Sequence, residues 1–416
     1  MLDWSDVDIA VRDAVREFVD KEIRPHLDEL EGGDMEPYPI IRKLFATFGI
    51  DVIARESLER RLSRLRSGEA SDGKQRASGG MFGGGPDQAG MGMVLISELC
   101  RVSSGLVTGV GVSLGLTVPT IQSRGTLAQQ ERWLPGLVTY EKVGAWAITE
   151  PDSGSDAFGG MKSYVVRDGS GNGDYILNGQ KTFITNGPDA DVVVVYAKLD
   201  EGDGADKRDR KVLTFVLDRG MEGFVQSKPF RKMGIHSSRT GELFFNNVRL
   251  GRDRLLGETE DNKAGDGRDS ARSSFSAERI GVVSMSLGII EECLRLSVDY
   301  AKTRTLWGKE IGQFQLIQLK LASMEVARMN VRNMLFRVIE SGQAGRQIPL
   351  AEASAMKWYC SQAATDVAMD AIQLFGGNGY MTEYRVEQLA RDAKSLMIYA
   401  GSNEVQITHV AKGLLA

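Results

Sequence analysis

Between Val143 and Leu256 the hydrophobic period of the chain changes, and that change constrains the fold more than any other feature. The runs KSYVVRD, DYILNGQKTFITNG, ADVVVVYAKL, KVLTFVLDR and GELFFNNVRL are short, β-branched and aromatic, and Gly, Asn and Asp turns separate them. Consecutive strands with no helix between them predict an antiparallel barrel or sandwich. On both sides the period is that of a helix. VDIAVRDAVREFVDKEI sets Val7, Val11, Val15, Phe18 and Val19 on one face. Ile317, Leu321, Met324, Val331, Leu335 and Val338 follow the same 3-4 repeat. LAQQERWLPGL predicts a helix running up to Pro135. The fold class is therefore α+β, mostly α. A helical domain over 1–142 and a β domain over 143–256 precede a four-helix-type bundle over 273–416.

Several function classes are disfavoured by what the chain lacks. A net charge of −5 argues against a general nucleic-acid binder, which needs a basic face for phosphates. Cys100, Cys293 and Cys360 lie far apart without a CxxC pair, so they read as reduced core thiols of a cytoplasmic protein. His26, His236 and His409 have no partners at metal-site spacing, which argues against a zinc enzyme or a Ser-His-Asp hydrolase. No metal is expected. The uncharged run Val102–Ser123 is broken by Gly, Ser, Thr and Pro119 and reads as a buried helix with its loops, not a membrane span. The opening residues form an acidic amphipathic helix, not a signal segment. Glu56–Gly90 is highly charged, then Gly-rich without a Walker lysine, and predicts a mobile surface insertion. Asp200–Lys211 reads as an exposed hairpin loop.

Four stretches in order, AWAITEPDSGSDAFGG with LNGQKTFITNG, RTLWGKEIGQFQ, QLFGGNGY and IYAGSNE, make the chain resemble an acyl-CoA dehydrogenase along nearly its whole length. Only Glu56–Gly90 and Glu258–Arg272 fit the pattern poorly. The resemblance implies FAD as cofactor, held without a Rossmann fingerprint between the β domain and the C-terminal bundle. By matching positions, Trp146, Ile148, Thr149 and Ser155 would line the flavin or thioester side, and Phe183 and Thr185 would cover the ring. Arg304, Trp307, Gln315, Gln373, Gly376 and Gly377 would hold the pyrophosphate and adenosine of a neighbouring subunit's FAD. Arginine can fork onto phosphate, and paired glycines let backbone N–H groups come close. The resemblance thus implies a homodimer or homotetramer, an acyl-CoA substrate and an electron-transfer flavoprotein as acceptor.

In most of that family the slot of Ala400 holds a glutamate that abstracts the substrate α-proton, while the β-hydrogen leaves as hydride to flavin N5. Alanine keeps the backbone N–H that would bind the thioester oxygen as enolate charge develops. In the isovaleryl-CoA and long-chain branches the glutamate sits instead in the first long helix of the bundle, just before an arginine. Here SSFSAERIGVV offers Glu278 followed by Arg279, and Glu278 is the expected base. A first-turn acid stabilised by the helix macrodipole is the plain alternative. Arg279, Tyr399, Gly401 and Ser155 are expected on the substrate side. Glu404 and Ser402 are expected near the cofactor, with Ser402 and Asn403 capping the last helix. The rival functions are a base-less partner subunit, a flavin monooxygenase or oxidase on the same fold and, disfavoured by the acidic balance, the family's DNA-binding offshoot.

Overall fold

The computed structural model describes residues 4–68, 89–169, 171–204, 206–260 and 267–415. Helices come first. In α1 (Asp6–Phe18) the Ser5 hydroxyl accepts from the Asp8 N–H at 3.1 Å, and the Asp8 carboxylate accepts from the Ser5 N–H at 3.2 Å. Val15, Phe18 and Val19 are buried, whereas Val7 faces solvent. Then follow α2 (Leu27–Gly32), α3 (Tyr38–Phe48), α4 (Ile50–Arg66), α5 (Ala89–Cys100), α6 (Ser104–Val110), α7 (Val118–Arg124) and α8 (Leu127–Val138). A π-helical turn, Gly111–Thr117, joins α6 to α7. The joined segment Ser104–Arg124 is long and apolar enough to cross a membrane, but its apolar window is 67% buried, as in a core helix.

Two expectations fail here. The charged run from Glu56 is not a loop as far as Arg66 but the second half of α4. Leu58 and Leu62, one turn apart, are buried in a cluster with Ile121, Trp133 and Leu134. The charges form the outer face: Arg61 donates to the Gln122 carbonyl at 2.6 Å, and Arg66 pairs with Glu131 at 2.7 Å. Composition concealed an amphipathic helix. Of the rest of that expected insertion, Ala89 and Gly90 open α5 and 69–88 lies outside the described residues, as does 261–266 of the second poorly fitting stretch. Helix α8 also does not stop at Pro135 but runs through it to Val138. Its proline removes one ladder N–H, and Thr126 and Gln129 close the other end with a capping box.

The strands are β1 (Gly144–Ala147), β2 (Tyr164–Arg167), β3 (Tyr175–Thr185), β4 (Val192–Leu199), β5 (Val212–Asp218), β6 (Phe224–Gln226) and β7 (Thr240–Leu250). They form one open, mixed sheet, not the expected antiparallel barrel or sandwich. Strand β4 runs parallel to both β1 and β2, which share one of its edges, and antiparallel to β5 on the other. Beyond β2 the order continues β3, β7, β6, all antiparallel. The run VVVVY shows why. Val193 and Val195 face one apolar cluster, and Val192, Val194 and Tyr196 face another that includes residues of α4, α7 and α8. A strand buried on both faces is apolar throughout. Asp200–Lys211 links the antiparallel pair β4–β5.

The second helical region begins with α9 (Gly267–Thr303), earlier than Ser273. A small hairpin, β8 (Thr305–Leu306) and β9 (Lys309–Glu310), leads to α10 (Gln315–Gln343), α11 (Leu350–Phe375), α12 (Val386–Leu396) and α13 (Asn403–Leu415). Met324, Val331, Leu335 and Val338 are buried in one core with Val15, Leu99 and Ile289, so this core joins both helical regions. The three cysteines are free and buried.

Candidate active site

The chain between α12 and α13 makes a turn with two successive residues at positive φ, Ala400 at 56° and Gly401 at 79°. Such backbone is unfavourable for alanine and needs outside support. Support comes from Gln406, whose side-chain amide donates to the Ala400 carbonyl at 3.1 Å and the Gly401 carbonyl at 2.7 Å. The Asn403 N–H closes the turn onto Met397 at 3.0 Å. With both carbonyls engaged, the Ala400 N–H donates to no group among the described residues.

Glu278 lies about three turns into α9, not in its first turn, so the helix macrodipole does not account for it. It is half-buried. Burial pushes the carboxyl up to about 7, against the opposing pull of Arg279 and Lys357. Arg279 is buried, and neither its Nε nor its Nη1 has a partner among the described residues. A Cβ added to Gly401 would lie 3.8 Å from Arg279 Nη2, so the guanidinium borders the turn. The Tyr399 hydroxyl is pushed up by burial, and Glu278 adds to this. The base candidate, its arginine and the turn of Tyr399, Ala400 and Gly401 therefore share one site.

The end of β1 joins them. Phe275 meets Trp146 edge-on at 6.3 Å and lies under the Arg279 guanidinium at 5.9 Å. Trp146 and Ile148 are buried, Thr149 and Thr185 half-buried, and Ser155 exposed. The Thr149 carbonyl accepts from the Thr182 N–H at 2.9 Å, tying the end of β1 to β3. Behind them Lys181 and Glu150 form a buried ion pair at 2.8 Å. Phe183, at φ 57°, turns outward and is 67% exposed.

Arg304, Trp307, Gln315, Gln373, Gly376 and Gly377 are not brought to this place. They gather at the other end of α9, where Tyr300 stacks on Phe375 at 4.1 Å and accepts from Asn378 at 3.0 Å. From Glu278 to Thr303 a helix rises roughly 38 Å at 1.5 Å per residue. All six are exposed, Trp307 at 82%. The Arg304 guanidinium has no partner among the described residues. Gly376 has φ 62°, and a Cβ at Gly376 or Gly377 would meet open space.

At the start of α13, Ser402 accepts the Gln406 N–H with its carbonyl, at 3.0 Å. Glu404 is exposed, and its own N–H and then the Ser402 hydroxyl hold its carboxyl below the usual range. Asn403 does not cap the helix with its side chain, as expected; its Oδ1 accepts from Lys357 and Ser361 instead. Lys357, Phe275 and Gln406 are the site-bordering residues missed in the sequence. Lys357 alone left a signal there, as one charge in the apolar helix stretch ASAMKWYC. Among the described residues no cluster of His, Cys, Asp or Glu could hold a metal ion.

Profiles of the acyl-CoA dehydrogenase N-terminal, middle and C-terminal domains match residues 80–141, 145–248 and 265–415. An acyl-CoA dehydrogenase of Bacillus subtilis (strain 168) is 34% identical over 98% of this chain and 97% of its own. The mitochondrial isovaleryl-CoA dehydrogenase of Arabidopsis thaliana is 35% identical over 75% of this chain and 73% of its own. Among solved structures, the butyryl-CoA dehydrogenase of Megasphaera elsdenii superposes with a TM-score of 0.82 at 30% identity, covering 100% of both chains.

Proposed function

This chain belongs to the acyl-CoA dehydrogenase family of oxidoreductases, and we propose that it desaturates an acyl-CoA thioester with Glu278 as the base. One observation carries the reading: Glu278 adjoins Arg279, whose guanidinium borders the turn where the Ala400 N–H has no acceptor among the described residues. The α-proton of a thioester is too weakly acidic for a carboxylate alone. A donor aimed at the thioester oxygen stabilises the developing enolate, and the Ala400 N–H is free to be that donor. A carboxyl near 7 suits a base working around neutral pH. The relocated base favours the branch typified by isovaleryl-CoA dehydrogenase.

The residues fit FAD. The outward Phe183 ring, packed against Phe230 at 6.0 Å, offers a flat apolar surface two residues beyond the buried Lys181, whose ammonium donates to the Ile148 carbonyl. The unpaired Arg304 and the open glycine pair suit a pyrophosphate. Bound FAD would supply the oxidant, taking up the electron pair that leaves with the β-hydrogen. Because the two groups of residues sit at opposite ends of α9, one FAD would draw on two subunits, making the protein a homo-oligomer. An electron-transfer flavoprotein as acceptor rests on the family resemblance.

The test is dye-linked turnover across an acyl-CoA panel. Glu278→Gln keeps side-chain size but removes the base, and turnover should fall roughly 10² to 10⁴-fold with FAD retained. Adding Ala400→Glu, at a backbone position that already carries a Cβ, should restore part of it. Wild-type turnover in Glu278→Gln would sink the assignment.

A further inference from the structure

Lys357 is fully buried on α11, a helix that also buries Ala353, Met356, Cys360 and Ala364, and it forms no ion pair among the described residues. Its one hydrogen-bond partner among the described residues is Asn403 Oδ1, at 2.9 Å, and the Ser361 hydroxyl donates to the same oxygen at 3.1 Å. An ammonium buried without a carboxylate contact is unfavourable, so its retention calls for a reason. Two are visible. Asn403 closes the turn that carries Ala400 and Gly401 through its N–H to Met397. The ammonium also acts across the helix interface on Glu278.

We infer that Lys357 is a positioning residue for proton abstraction: its ammonium, fixed on Asn403, supplies buried positive charge to Glu278 and anchors the turn that carries Ala400. The inference rests on the reading of Glu278 as the base. Charges face this pair from several elements. Arg279 on α9 and Lys357 on α11 both favour the Glu278 carboxylate, and the Tyr399 hydroxyl, which donates to Met285 Sδ at 3.5 Å, feels its charge from the turn. Lys357 feels Glu278, Arg279 and, from α13, Glu404. His409 on α13 lies in the field of Arg279. Burial brings the amine down to about 8, with Glu278 opposing, so near neutral pH the ammonium predominates. Removing its charge makes the carboxylate form of Glu278 less favourable.

The experiment follows exchange of the α-hydrogen of a saturated acyl-CoA for solvent deuterium, by mass spectrometry, against pH. It uses FAD-loaded protein as wild type, Lys357→Met, Lys357→Arg, Asn403→Asp and Glu278→Gln. In wild type, exchange should rise with pH as Glu278 deprotonates. In Lys357→Met that rise should move to higher pH; each unit of displacement is about a tenfold loss of exchange on the acidic side. Lys357→Arg keeps the charge and should restore the position of the rise even if the rate is lower. Asn403→Asp sets a carboxylate against the ammonium and should displace the rise in the same direction, which reads the effect if Lys357→Met does not fold. A lower rate with the rise unmoved, or moved to lower pH, overturns the inference and leaves the base in place. Wild-type exchange in Glu278→Gln overturns the base assignment itself.

Discussion

Gln406 and Ala400 are joined by a side-chain amide that donates to a main-chain carbonyl at 3.1 Å, with the Gly401 carbonyl taking the second bond at 2.7 Å. Gln406 is fully buried in α13, so the turn is referred to a rigid element. Gln406→Met keeps the length of the side chain and leaves both carbonyls without that donor. A stability loss of about 1–3 kcal/mol is expected. Turnover should fall further than stability accounts for, because misplacing the Ala400 N–H weakens the transition state directly. Paired melting and steady-state measurements check this. A lower melting temperature with unchanged kcat/KM would mean that Gln406 only stabilises.

Glu278 also predicts a conflict between stability and activity. Burial raises its carboxyl from 4.5 to about 7. The folded state thus holds the proton more tightly than the unfolded chain. The resulting stabilisation is complete below pH 4.5 and is lost as pH rises through about 7. Glu278→Gln never bears the buried charge, so at pH 8 it should be more stable than wild type, by on the order of 1–3 kcal/mol. Near pH 4 the two should match. Denaturant titrations at both pH values test this, and equal stability at pH 8 would show a carboxyl well solvated in the fold.

The helical regions were legible because their periods are strong: Val331, Leu335 and Val338 are buried as their spacing required. The sheet was legible as strands but not as a topology. Nothing in ADVVVVYAKL states that β4 pairs parallel with β1, since a strand buried on both faces has no alternation to read. Charge hid α4, whose two inward leucines were too few to stand out among arginines and glutamates. At the site, Glu278 and Ala400 were visible as residues, but their common setting depends on Arg279 reaching Gly401 across more than a hundred residues of chain. Gln406 and Lys357 act through contacts between helices, and no local pattern encodes those.

Arg304 offers a test of the cofactor reading that does not depend on turnover. Its guanidinium is exposed and unpaired among the described residues, so Arg304→Ala should leave the fold unchanged. If it binds pyrophosphate, losing one charge-assisted contact of about 1.5–3 kcal/mol should weaken FAD binding roughly tenfold or more. Flavin absorbance per chain after dialysis reports this, and sedimentation reports the oligomer. Full FAD retention in a monomer would overturn the shared site.

Lys181 and Glu150 lie behind the proposed flavin edge, both buried, 2.8 Å apart. Lys181 also donates to the Ile148 carbonyl at 3.2 Å, and Glu150 accepts the Lys162 and Ser163 N–H groups at 2.5 and 3.0 Å. Burial brings the lysine down to about 8. It would raise the glutamate, but Lys181 and the donors around it hold that carboxyl below the usual range. Breaking such a pair from one side strands a buried charge. Lys181→Met and Glu150→Gln should each lose about 3–5 kcal/mol. Together they leave neither charge, so the double variant should lose less than either single one, which requires a coupling energy larger than either single loss. The ends of β1 and β3 that carry Ile148, Thr149 and Phe183 are tied through this pair, so the single variants should also bind FAD more weakly than the double variant. Denaturant titrations of the four proteins with flavin absorbance on the same samples decide it. Additive losses would show that the two side chains act independently.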